Sequence, residues 1–151
     1  MKRRSYNTIW RKNIYEKIFV DTNILVNLLA DRKPFSKYAV EIFSAAENKK
    51  VKLFTSSHSI ATTYYLLKKF IDDSSLRKTL LGLIEYMTII SVDTEVLTKG
   101  LRSKQKDFED SVQIYCATTI DKIDCIVTRN VKDFKGCEIL VLSPDELCSK
   151  L

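Results

Sequence analysis

The stretch KIFVDTNILVNLL, residues 17–29, decides the fold. Ile18, Phe19 and Val20 make a short apolar run, and a second apolar run follows Asp21, Thr22 and Asn23. A short run with no polar alternation suits a strand buried on both faces, as in a parallel sheet. The second run reads as a helix. A carboxylate therefore stands where a buried strand gives way to a helix. Asp21 can N-cap that helix. It can also be a group presented at the carboxyl edge of a sheet, where open α/β sheets bind ligands.

Four more β-prone runs lie further along: KLFT at 52–55, TIISV at 88–92, DCIVT at 124–128 and EILVL at 138–142. Helical periodicity fills the gaps. FSKYAVEIFSAAEN places Phe35, Tyr38, Ala39, Ile42, Phe43 and Ala46 on one face, with Ser36 able to cap its start. SIATTYYLLKKFI, SSLRKTLLGLIEYM, DTEVLTKGLRSK and DFEDSVQIYCATTID read as four further helices. Strands alternating with helices predict βαβ units with right-handed crossovers. The expected fold class is α/β: a three-layer α/β/α domain on a mostly parallel sheet of about five strands. Three glycines and two prolines are too few for the tight turns of an all-β chain.

A chain of 151 residues, 45% hydrophobic and 29% charged, fits one globular domain. No window of ~18 apolar residues suggests a membrane span. The N-terminus has no continuous apolar core of a secretory signal, so a cytoplasmic protein is expected. Cys116, Cys125, Cys137 and Cys148 form no C-x-x-C pair, and His58 is the only histidine, so zinc is not expected. The cysteines read as small buried residues in a reducing compartment. The net charge of +6 is concentrated at the start, where Lys2, Arg3, Arg4, Arg11, Lys12 and Lys17 face only Glu16. Such an arm can touch nucleic acid. It can equally be a disordered leader or a product of where translation was assigned to start.

Asp21 follows the first strand, and Thr128, Arg129 and Asn130 follow the fourth, so both groups are expected at one sheet edge, with Asp133 close behind. Asp107 and Asp110 are three apart and share a helical face, whereas Glu109 points about 100° away by helix periodicity. Oxygen-rich clusters of this kind suit Mg2+ or Mn2+. Near a phosphodiester such an ion activates water and stabilises the departing oxygen. Each residue also has a structural reading. Asp107 and Asp110 suit the first turn of a helix, Asn130 suits a turn, and Asp133 suits a solvated loop. His58 reads as a surface or capping residue, and Tyr64 and Tyr65 as helix packing.

Taken together, FVDTNILVNLL at 19–29, TSSHSIATTYYLLKK at 55–69, DFEDSVQIYCATTIDKIDCIVTRNVKDF at 107–134 and ILVLSPDEL at 139–147 resemble the PIN-domain ribonucleases, in particular the branch with VapC-like toxins of bacterial toxin–antitoxin pairs. The resemblance runs from residue 17 to the end, leaving 1–16 as a basic extension and 17–151 as the PIN-like domain. It implies a compact α/β/α fold and Mg2+- or Mn2+-dependent endonuclease action on RNA. It also implies that Asp21, Asp110 and Asp133 are the catalytic, metal-holding acids, with Asn23, Asp107, Thr128 and Asn130 in support. Arg129 and Lys69 are expected to contact phosphate. One departure matters: many relatives carry Glu in the helix after the second strand, where this chain has Thr62 or Thr63. Losing a carboxylate should weaken a divalent-ion site unless Asp107 or Glu109 compensates. Two readings follow. The leading one is an endoribonuclease with an RNA substrate, a small antitoxin partner and a homodimeric state common among relatives. The alternative is a catalytically weak or inactive module that binds RNA or protein. A receiver-type domain would want paired acids after its first strand, and no G-x-G-x-x-G supports dinucleotide binding.

Overall fold

Alternation along the central strands sends successive side chains to opposite sides of one sheet. In β1 (Lys17–Val20), Ile18 and Val20 join one buried cluster and Phe19 joins another. Leu53 and Phe54 of β2 (Lys52–Ser56) divide the same way, as do Cys125 and Val127 against Ile126 in β4 (Cys125–Val127). With β3 (Met87–Ile90) and β5 (Val141–Leu142) these strands form a five-stranded sheet in the order β3-β2-β1-β4-β5, every pair parallel. The structure, a computed structural model, describes residues 15–151.

Helices cover both faces. On the Ile18/Val20 side lie α1 (Thr22–Leu29), α2 (Ser36–Glu47), α3 (Ser57–Leu67), α4 (Asp73–Ile84) and the short C-terminal α7 (Pro144–Cys148). On the Phe19 side lie α5 (Thr94–Arg102), α6 (Phe108–Thr118) and a 3-10 turn over Val131–Phe134, whose Phe134 is fully buried. Burying each such side chain stabilises the fold by about 1.5–3 kcal/mol. The three-layer arrangement is the expected one.

Several boundaries differ from the sequence reading. Ser36 does not cap α2. It is buried within the first turn, Phe35 occupies the cap position without a side-chain bond, and Ser36 N donates to Arg32 O at 2.7 Å. Helix α3 starts two residues early because Ser56 Oγ accepts from Ser59 N, and it stops at Leu67. Met87 leaves α4 for β3. EILVL contributes only Val141 and Leu142 to the sheet. Tyr64 is half-buried against the core as expected, but Tyr65 is 61% exposed. Of the expected basic extension, residues 1–14 lie outside the described residues. Tyr15 already packs on the core and Glu16 O accepts from Lys52 N.

Topology fixes where a site can form. From β1 the chain moves outward to β2 and β3, then returns to the other side of β1 as β4. The connections reverse between β1 and β4, and crevices at such switch points are where open α/β sheets take ligands. Val20 and Val127 are register partners there, so Asp21 and Thr128 leave the sheet side by side.

Candidate metal centre

Asp21 is both a helix cap and a buried acid. Its backbone N donates to Val127 O at 3.0 Å, and its side chain is 5% exposed. Oδ1 accepts from Thr22 N at 2.8 Å and from Gln113 Nε2 at 3.0 Å. Oδ2 accepts from Thr128 Oγ1 at 2.7 Å and from Asn23 Nδ2 at 3.3 Å. Burial pushes the Asp21 carboxyl above its ordinary range, opposed by the bonds from Gln113, Thr128 and Thr22 and aided by the charge of Glu109. Asn23 Nδ2 also reaches Thr128 Oγ1 at 3.2 Å. Of the expected supporting residues, Asn23 and Thr128 hold the carboxylate.

Gln113 is the residue the sequence reading left without a role. Its side chain is 2% exposed, and Nε2 donates to Ser59 Oγ at 2.6 Å as well as to Asp21. Oε1 accepts from Ser56 Oγ at 2.6 Å. It thus ties α6 to β1, β2 and α3 through polar bonds at the core's edge. The signal was a lone amide on a face otherwise formed by Val112, Cys116 and Ala117.

Helix α6 precedes β4 and must return along the sheet to feed it, so its first turn lies at the strands' carboxyl edge. Asp110 shares a pocket of about 240 Å3 with Asp21. Its carboxyl is pushed up to about 7, first by burial, then by the charges of Asp107, Asp21, Asp133 and Glu109. Asp107 caps α6, its Oδ1 accepting from Asp110 N at 3.1 Å. One oxygen of the expected partner acid is thus turned to the backbone. Glu109, expected to point away, lines the pocket. Its Oε1 lies 3.5 Å from His58 Nε2, which is 3.3 Å from Thr62 Oγ1. His58 is therefore a pocket residue, not only a surface one. Thr62 faces the pocket, whereas Thr63 is buried and donates to Ser59 O at 2.7 Å.

The other expected residues divide. Asn130 and Arg129 line the same pocket. The Arg129 guanidinium sits 3.5 Å from the Phe35 ring centroid and donates to Asn27 Oδ1 at 3.3 Å. Asn27 Nδ2 is buried without an acceptor among the described residues. Asp133 lines a second hollow with Asp107 and Asp110 rather than the Asp21 pocket. Lys69 lies past the end of α3, exposed, and lines neither hollow.

Among the described residues no group of three His, Cys, Asp or Glu converges as a ready-made ion cage. Mg2+ does not need one, since it binds through one or two carboxylates, waters and substrate phosphates. An all-oxygen pair, Asp21 and Asp110, fits that mode. Burial and then repulsion raise Asp110, and a cation placed between the acids relieves the repulsive part.

A family model for the PIN domain matches residues 17–132. Ribonuclease VapC1 of Aquifex aeolicus (strain VF5) is 30% identical over 141 residues, 89% of this chain and 95% of that protein. A toxin–antitoxin complex from Klebsiella pneumoniae superposes with a TM-score of 0.62 at 24% identity, covering 84% of this chain and 97% of that one. VapBC2 from Rickettsia felis, bound to a DNA fragment from its promoter, gives a TM-score of 0.62 at 17% identity over 84% and 98%. These two likenesses speak for the fold.

Proposed function

The chain belongs to the PIN domain family, and from that premise we propose that it is a Mg2+- or Mn2+-dependent endoribonuclease, the toxin of a toxin–antitoxin pair. The observation that carries the reading is the pairing of buried Asp21 with half-buried Asp110 across one pocket at the β1/β4 switch point. Asp21 and Asp110 would hold the ion, with Asp133 adding charge from the adjoining hollow. When bound, the ion supplies an activated water and stabilises the departing oxygen. Gln113, Thr128 and Asn23 fix the orientation of Asp21. Asp110, with a carboxyl near 7, can hold or release a proton at neutral pH. Arg129, braced on Phe35 and Asn27, would take a phosphate. In-line attack of water on phosphorus would leave a 3′-hydroxyl and a 5′-phosphate.

A small antitoxin and a second copy of the chain are the proposed protein partners, and the cytoplasm the proposed site of action. No helix of the described residues is long and apolar enough to cross a membrane. One observation favours the non-cutting RNA- or protein-binding alternative: α3 presents Thr62, not an acid, to the pocket. Cleavage of a mixed pool of structured RNAs decides between them. Wild type should cut with Mg2+ or Mn2+ and not with EDTA, and Asp21→Asn should lose at least about 100-fold in rate. Folded, antitoxin-free wild type that cuts nothing with either metal would favour the binding module.

A further inference from the structure

Two further hollows lie beyond the carboxylate pocket. Asp110 is a wall common to the Asp21 pocket and a hollow of about 450 Å3. Lys104, Gln105 and Lys135 are common to that hollow and to another of about 520 Å3 beyond it. Shared walls set the three hollows in a row, an interrupted trough leading away from the acids. Its banks are two short polar segments, SKQKD at 103–107 and VKDFKG at 131–136. Gln105 Nε2 donates to Lys135 O at 3.1 Å and ties the banks together.

The middle of the trough is basic. Lys104, Lys106, Lys132 and Lys135 line it, all exposed. Asp107, Asp110 and Asp133 line the same hollow, three carboxyls against four ammonium groups, yet the ion pairs among the described residues are His58–Glu109, Arg77–Asp73 and Lys99–Glu95. The four ammonium groups therefore have no carboxylate in contact, and the hollow keeps a small positive excess. Uncompensated cations spaced along a groove attract a chain of phosphates, whose counterions they release. The far hollow has a different chemistry. Ile114 and half-buried Tyr115 give it an apolar wall, and Ser103, Thr118 and Glu138 give it hydrogen-bonding groups. An unstacked base asks for a ring to stack on and polar partners for its edge.

We propose that this trough is a track for single-stranded RNA leading away from the cleavage centre, with the lysines taking phosphates and the Tyr115 hollow taking one base. It rests on the nuclease reading for the identity of the strand. The test is fluorescence anisotropy of a labelled 12-nucleotide single-stranded RNA with the full-length protein in EDTA. The variants are Lys104→Ala/Lys135→Ala, Tyr115→Leu and, as a control on exposed lysines elsewhere, Lys50→Ala/Lys78→Ala. The Lys104/Lys135 pair should weaken binding about tenfold or more. It should also flatten the slope of log affinity against log salt by about 1.4, the share of two phosphates on a single strand. Tyr115→Leu should weaken binding about fivefold or more and leave the slope unchanged. The control should match wild type.

Wild-type affinity and slope in the Lys104/Lys135 variant, or an equal loss in the control, would overturn the track. Undiminished binding by Tyr115→Leu would overturn the base subsite. Cleavage of the RNA pool by wild type, run alongside, separates the two readings. If wild type cuts but the lysine variant binds normally, only the track falls. If wild type neither cuts nor binds RNA, both fall.

Discussion

Burial raises the carboxyls of both Asp21 and Asp110 above their ordinary range. The Asp110 carboxyl stands at about 7 in the fold, against about 3.9 in an unfolded chain. The folded state therefore holds a proton that the unfolded state has lost. The stability this group contributes is fully present below about pH 4 and is lost as pH rises through about 7. Asp21, raised by burial, acts in the same direction. Ion-free protein should thus melt at a lower temperature at pH 8 than at pH 6 by scanning calorimetry. Asp110→Asn should flatten that dependence and raise the melting temperature at pH 8 while abolishing cleavage. A residue kept for the fold would do the opposite. Thr62 invites the converse experiment. Thr62→Glu adds a carboxylate beside His58 and Asp21, and it should tighten Mn2+ binding about tenfold, roughly 1.4 kcal/mol, in an equilibrium titration.

At the scale of elements, the site depends on how α6 is locked to the sheet. Gln113 joins that helix to Asp21, Ser56 and Ser59 in one buried network. Gln113→Leu keeps the volume but removes one bond each from Asp21, Ser56 and Ser59, while Ser56, Ser59 and Thr22 keep the bonds among themselves. Each buried hydrogen bond lost costs about 0.5–1.5 kcal/mol, and each kcal/mol lowers the melting temperature of a chain this size by roughly 2–4 °C. Cleavage should fall as well, since Asp21 loses one of its fixed donors. The elements themselves were largely legible in the sequence, because periodicity and apolar runs are local signals. β5 was overestimated: Glu138, Ile139 and Leu140 are apolar enough for a strand, but only Val141 and Leu142 find ladder partners on β4. The start of α2 was misread because Arg32 O, not a side chain, takes up the Ser36 N–H.

The site was legible in part for the same reason. Asp21 and Thr128 follow from strand ends, which topology dictates, whereas Asn23 and Asp110 came from the family resemblance. Glu109 escaped because a first-turn side chain can reach past its nominal direction toward His58, a residue on another helix. Gln113 escaped because a buried amide is meaningful only once its partners are known. Asp133 and Lys69 show the limit of spacing as a guide: one faces the neighbouring hollow and the other lies past the end of α3, outside both hollows.

For the whole molecule, the chain order β3-β2-β1-β4-β5 brings residues more than a hundred positions apart to one crevice. The repulsion stored there is what a divalent cation would relieve, so binding and stability should be linked. Saturating Mg2+ or Mn2+ should raise the melting temperature, and more at pH 8 than at pH 6, in wild type but not in Asp110→Asn. The central claim is that Asp21 and Asp110 form a centre for such an ion. Calorimetric titration of Mn2+ into ion-free protein at pH 7.5 tests it most directly. Wild type should bind saturably, and Asp21→Asn and Asp110→Asn, shown to be folded, should each lose about 100-fold or more in affinity. Saturable binding of equal strength in the variants, or none in folded wild type, would contradict it.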